Sequence, residues 1–235
     1  QNIIYSDTKG NIALNLPGKY PIKFPGQGKF ILDGSDPDSE WKKYIPFEHR
    51  LERYNHPQGF LSSANQFPVD RTTYPYYVYS HRFENYRNRR VNERLITMQN
   101  IVPEDLMSLQ NDNFNYIASE ILPYLLSQLD TLSLNEDQNK FFDELQNWDY
   151  FNHPNLKAPT HFELWSDILW DQLWDEFDTM SFAVNKPDIH TTSQLIISDS
   201  LVEFSDRLNT PEKETTSDLI NYAFYTAVDS LNQWL

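Results

Sequence analysis

The stretch Tyr54-Asn55-His56-Pro57-Gln58-Gly59-Phe60-Leu61-Ser62-Ser63-Ala64-Asn65-Gln66 stands shortly before the point where the chain changes character. Its centre, Phe60-Leu61-Ser62-Ser63-Ala64, predicts a short strand, with Asn65 at its end. On its N-terminal side the chain reads as strands and loops, and five of the six glycines fall before residue 35. Ile3-Ile4-Tyr5-Ser6-Asp7 and Ile12-Ala13-Leu14-Asn15-Leu16 flank the glycine-containing segment Thr8-Lys9-Gly10-Asn11, which predicts a β-hairpin.

On the C-terminal side glycine disappears, and from about Phe83 the apolar residues take helical spacing. Tyr86, Arg90, Val91, Arg94, Leu95 and Met98 fit one helix, and Pro103-Glu104-Asp105 opens another with proline and acids in its first turn. Phe114–Leu129 predicts a helix that Pro123 kinks or restarts. Asn135 caps a helix over Glu136–Trp148. Thr160-His161-Phe162-Glu163 reads as a capping box opening a helix that runs to about Phe177. Thr192–Leu208 and Ser217–Trp234 predict two more amphipathic helices. Strands followed by helices predict an α+β fold, with a strand and loop segment over 1–80 and a mainly helical segment over 81–235.

The chain has 235 residues, enough to bury a sizeable core. It contains no cysteine, which removes disulfides, thiolate metal sites and a Cys nucleophile. No window is apolar enough to span a bilayer, so no membrane partner is expected. Gln1-Asn2-Ile3-Ile4-Tyr5 reads as a strand and not as a charged-then-apolar leader, and a chain opening in mid-strand is expected to be a piece of something larger. Charge is unevenly placed. Residues 1–94 carry 14 Lys and Arg against 10 Asp and Glu, whereas residues 95–235 carry 5 against 24, giving −15 in all. Five of the nine arginines (Arg82, Arg87, Arg89, Arg90 and Arg94) share one short stretch. The acidic field around them would repel phosphates, so no nucleic-acid partner is expected; they are read as pairing with acids of the second half or facing solvent.

Few motifs carry chemistry on their own. The histidines lack paired metal-ligand spacing, and no metal or cofactor is implied. Asp33, Asp36 and Asp38 lack the glycine and distal glutamate of a calcium loop and read as a solvated turn. Leu164–Trp174 places Asp167 and Asp171 on its polar face, the wrong sign for anionic lipid, and reads as a packed helix. The cluster Tyr74-Pro75-Tyr76-Tyr77-Val78-Tyr79 suits a ligand pocket and a plain core role equally. No serine sits in a nucleophile-elbow pattern. The residues alone therefore leave two classes open: an enzyme, or a non-catalytic helical domain that binds a partner through its acidic half or its tyrosines.

The opening stretch resembles the Asn-Pro-x-x-Gly-Phe/Tyr…Ala-Asn-Asn segment of the penicillin acylase (penicillin amidase) family of N-terminal-nucleophile hydrolases. Other segments agree in order. Gln1–Asp7 with Gly10-Asn11-Ile12 resembles the family's first hairpin. Glu40-Trp41-Lys42-Lys43-Tyr44-Ile45-Pro46-Phe47 resembles its E-W-x-G-Y-I-P-F segment, and Tyr74–Tyr77 with Tyr86–Val91 the stretch after the asparagine. Leu145-Gln146-Asn147-Trp148-Asp149 resembles L-x-x-W-D. The specific match covers about residues 1–150. Gln66 stands for the usual second Asn, Lys43 for a Gly, and Tyr150 for the Gly after Trp-Asp.

The resemblance implies an internal fragment of the β subunit of an αββα hydrolase, periplasmic or extracellular. The remaining α and β segments and a small N-acyl substrate would be its partners. It implies an amidohydrolase cleaving the acyl-amide bond of a β-lactam, an acyl-homoserine lactone or a similar compound, through a serine at the β-subunit N-terminus. Its α-amine, with an ordinary pKa of about 7.7–8.0, would act as base. The amide of Asn65 would stabilise the oxyanion, and Arg87 would orient Asn65 and disfavour the protonated amine. Read alone, Asn65 is a turn residue and Arg87 half of a surface ion pair. Because the serine would lie upstream of Gln1, the isolated chain is expected to be inactive; a pseudoenzyme of the same family is the related alternative.

Overall fold

A computed structural model describes residues 2–78, 85–182, 184–201 and 204–234. Arg82 and Tyr79 of the arginine and tyrosine clusters lie outside them. The chain divides into two compact units, Gln1–Leu109 and Gln110–Leu235.

In the first unit the expected hairpin forms: β1 (Ile3–Ser6) pairs antiparallel with β2 (Ile12–Asn15), Ile4 opposite Leu14. Asp7 shapes the turn. Its carboxylate accepts from the Lys9 and Asn11 backbone N–H groups and from Asn11 Nδ2, while Gly10 sits at φ +83°. The Asn11 amide, above all, holds the Asp7 carboxyl below its ordinary pKa. β3 (Glu52–Tyr54) adds to the other side of β2, giving the order β1-β2-β3. Asn55, at φ +45°, then ties the opening stretch to the hairpin: its Oδ1 accepts from Ile12 N–H at 2.9 Å and its Nδ2 donates to Asn11 Oδ1 at 2.8 Å. The strand expected over Phe60–Ala64 does not form; the segment runs irregularly, without a ladder partner among the described residues. Two helices complete the unit's elements, α1 (Tyr86–Thr97) and α2 (Pro103–Gln110).

The second unit is helical and holds the main core. Asn115 caps α3 (Tyr116–Ser127), accepting from Ala118 N–H at 3.0 Å. Pro123 does not restart this helix, which continues across it with Ile121, Leu122 and Leu125 buried. Asn135 and Gln138 form a reciprocal capping box on α4 (Glu136–Gln146), each bond 2.9 Å. Helix α5 (Ala158–Leu173) begins two residues before the expected cap. Its first helical bond runs from His161 N–H to Lys157 C=O, and Pro159 pre-sets φ in the first turn, so Thr160 is already inside the helix. The chain re-forms a short α6 (Asp175–Asp178) after Trp174.

Helix α7 (Ile189–Ile197) is capped by Asp188 and ends well before Leu208. Asp199, at φ +50°, closes it: its N–H donates to Ile196 C=O and Ser200 N–H to Leu195 C=O, the Schellman pattern without its usual glycine. The last helix, α8 (Thr216–Trp234), packs against α5 along Leu219, Ile220, Ala223, Phe224, Ala227 and Val228. Trp165 of α5 is fully buried against Phe224, ring centres 5.0 Å apart, and its indole N–H donates to Ile220 C=O at 3.1 Å. Burying a polar ring in this way succeeds because the one N–H finds a partner. Tyr150 sits at φ +64°, a conformation that suits the glycine the resemblance places there. Packing against Trp148 and Phe114, and a 2.7 Å bond from Asn115 N–H to its carbonyl, hold it there.

Candidate active site

The candidate site lies wholly within the first unit, on the turn after Phe60 and the first turns of α1. Asn65 is exposed and adopts φ +65°. Asparagine is one of the few side chains that tolerates this left-handed conformation, which an alanine there would resist. Arg87, in the first turn of α1, reaches across and donates from Nη2 to Asn65 Oδ1 at 2.5 Å. The two residues singled out from the sequence are thus brought into direct contact.

That contact has a chemical consequence. The guanidinium carries donors only and stays protonated, so it must meet the oxygen of the carboxamide and not its nitrogen. A charge-assisted bond to Oδ1 fixes which end of Asn65 faces the helix. The Nδ2 amino group, at the other end of the same plane, is left as a neutral N–H donor. Withdrawal of electron density by the cation makes that donor stronger.

Several residues contribute that sequence reasoning did not assign. Ser62, Gln66, Asn88 and Asn92 form hydrogen bonds beneath the turn. Asn88 and Asn92, four apart on α1, share one helix face; that spacing was the available signal, but polar residues leave no mark in a hydrophobic period. Beside the turn opens a cleft of about 320 Å³, with Arg53, His56, Leu61, Ser62, Gln66 and Asn92 among its walls.

The remaining clusters resolve into structure. Tyr74 donates to the His49 carbonyl at 2.9 Å, and the Tyr76 hydroxyl lies 2.6 Å from His49 Nδ1. These tyrosines spend their polar tips on a neighbouring loop. Arg90 pairs with Glu93 on its own helix at 3.2 Å, and Arg89 lies over the Tyr86 ring. Asp33 and Asp36 each accept bonds from residues two further on, and Asp38 pairs with Lys42, as a solvated turn requires. Among the described residues no group of three or more His, Asp or Glu is arranged to hold a metal ion. Among them, too, no helix is long and apolar enough to cross a membrane.

A family model described as penicillin amidase matches residues 1–235, the whole chain. The chain belongs to the penicillin amidase family. Its fold is similar to that of a thermostable penicillin G acylase from Alcaligenes faecalis, with a TM-score of 0.62 at 17% sequence identity. The similarity covers 99% of this chain and 46% of that one, so the chain spans less than half the length of this solved penicillin amidase relative. At that identity the likeness speaks for the fold: a small three-stranded sheet with a mostly helical remainder.

Proposed function

We propose that this chain supplies the oxyanion-stabilising part of an N-acyl amide hydrolase whose nucleophile lies on a segment outside residues 1–235. The reading rests on one observation, the Arg87–Asn65 bond that turns Oδ1 toward α1 and leaves Nδ2 as a donor. Attack on an amide carbonyl moves negative charge onto its oxygen. A preorganised neutral donor stabilises that charge without giving up a proton, and removing one such donor costs about 10²–10³ in rate. Family membership supports acyl transfer as the reaction class. The nucleophile is an N-terminal serine whose own α-amine takes its proton. The Arg87 cation, near that amine, keeps it deprotonated near neutral pH.

The substrates are a β-lactam, an acyl-homoserine lactone or a similar N-acyl compound. The partners are the remaining segments of the parent enzyme, which acts in the periplasm or outside the cell. The chain alone is inactive, because it holds a donor without a nucleophile.

The test compares Asn65 variants in the complete enzyme against a chromogenic N-acyl anilide. Asn65→Gly removes the amide but accepts φ +65°, so kcat is expected to fall about 10²–10³ with the fold intact. An unchanged kcat would overturn the proposal. So would amide turnover by the 235-residue chain alone that Asn65→Ala abolishes, since the chain would then carry its own nucleophile.

A further inference from the structure

Gln66 folds back over the turn that carries Asn65. Its Nε2 donates to Ser62 C=O at 2.8 Å, and its Oε1 accepts from Ala64 N–H at 2.8 Å. One carboxamide thus closes on two backbone groups immediately before Asn65. The root of the turn is pinned from the other side. Asn88 Nδ2 donates to Ser62 Oγ at 3.1 Å, and Ser62 Oγ donates to Asn92 Oδ1 at 2.9 Å. Asn92 Nδ2 then donates back to the side-chain and backbone oxygens of Asn88, each at 2.9 Å.

Asn88 is buried and directly follows Arg87. The same turn of α1 therefore holds both the Asn65 side chain, through Arg87, and the start of its loop, through Ser62. The Gln66 side chain braces the backbone between these two points, from Ser62 C=O to Ala64 N–H. A left-handed residue on an exposed turn persists only when its surroundings over-determine it. The bonds of Gln66 provide that constraint.

We infer that Gln66 is a positioning residue for the Asn65 donor: its two backbone bonds hold Asn65 at positive φ with Nδ2 presented to the developing oxyanion. This rests on Asn65 being that donor. The function follows from reach: the longer amide spans from Ser62 C=O to Ala64 N–H, where the resemblance places an asparagine one methylene shorter.

Two variants in the complete amidohydrolase test it. Gln66→Met keeps the volume and loses both bonds. Gln66→Glu keeps an acceptor for Ala64 N–H and loses the donor to Ser62 C=O. A misplaced donor is expected to lower kcat about ten- to a hundred-fold in Gln66→Met, less in Gln66→Glu, with KM changed by under about twofold. Crystal structures of both variants should show Asn65 leaving positive φ and parting from Arg87. Unchanged kcat and unchanged Asn65 conformation in both variants would overturn the inference. So would a displaced Asn65 with wild-type kcat where Asn65→Gly is crippled. If Asn65→Gly itself keeps wild-type kcat, the oxyanion reading fails first, whatever Gln66 does to the turn. Should Gln66→Met not fold, Gln66→Glu decides by the same two readouts.

Discussion

At φ +65° an asparagine is tolerated where an alanine is strained, and this makes Asn65 a residue under two separate demands. Its backbone must turn left-handed, and its side chain must reach Arg87. The two can be separated by measurement. Asn65→Ala should be less stable than Asn65→Gly by about 1 kcal/mol in urea unfolding, although neither retains the amide. Equal midpoints would mean that the turn relaxes freely. Tyr150 stands under a similar backbone demand at φ +64°, met by packing instead of by side-chain type. Asn65 and Arg87 were legible from the sequence only because they sit at recognisable places in a family pattern. Gln66 was visible as a departure from that pattern, but its role was not. A glutamine clipping its own loop leaves no periodicity, charge or spacing to read.

Among the elements, α4 and the first hairpin were legible from their own turn and cap residues. Asn135 marked α4, and the Thr8–Asn11 segment marked the turn between β1 and β2. The errors fall where a rule had two solutions. Thr160-x-x-Glu163 fits a capping box, yet Pro159 and the Lys157 carbonyl begin α5 earlier. Helix α7 ends on Asp199, which does the work usually left to glycine and so carries no stop signal. The first turn of α5 also has an energetic consequence, for it carries the buried His161. His161 is 7% exposed and stacks on Phe141 with ring centres 3.4 Å apart.

Burial, helped by Lys157, pulls the imidazole down to about 4. An unfolded histidine titrates near its ordinary value of about 6.5. Between those pH values the unfolded state binds the extra proton, so stability is full above about pH 6.5 and falls as pH drops toward 4. The Glu144 carboxylate, 3.3 Å from Nδ1, favours the protonated ring and trims the effect. A loss of about 1–3 kcal/mol is expected on full titration. His161→Gln should flatten that part of the profile when unfolding is followed at pH 7 and pH 4.5. Parallel profiles for the two proteins would remove His161 from the account.

On the scale of the whole molecule, apolar burial is unequal. Among the described residues the buried apolar side chains of the first unit are Ile45 and Leu51, whereas 22 cluster in the second. The overall α+β order was readable because hydrophobic period changes from strand-like to helical along the chain. The imbalance was not, since composition counts apolar residues without saying which are covered. Its sharpest expression is β1, at one margin of the sheet. Ile3, Ile4 and Tyr5 are 54%, 56% and 50% exposed there, with no charge before Asp7. The opposite margin, β3, carries Glu52 and Arg53 and is protected against edge pairing. Purified alone, the chain therefore behaves as a colloid governed by two opposing terms. A net charge of −15 holds copies apart, while bare β1 edges attract one another. Salt shortens the Debye length from about 30 Å at 0.01 M to about 8 Å at 0.15 M and weakens only the first term. Light scattering should accordingly rise with added sodium chloride. Ile4→Lys, which places a cation on the bare margin, should keep the solution clear; scattering indifferent to both would exonerate the strand.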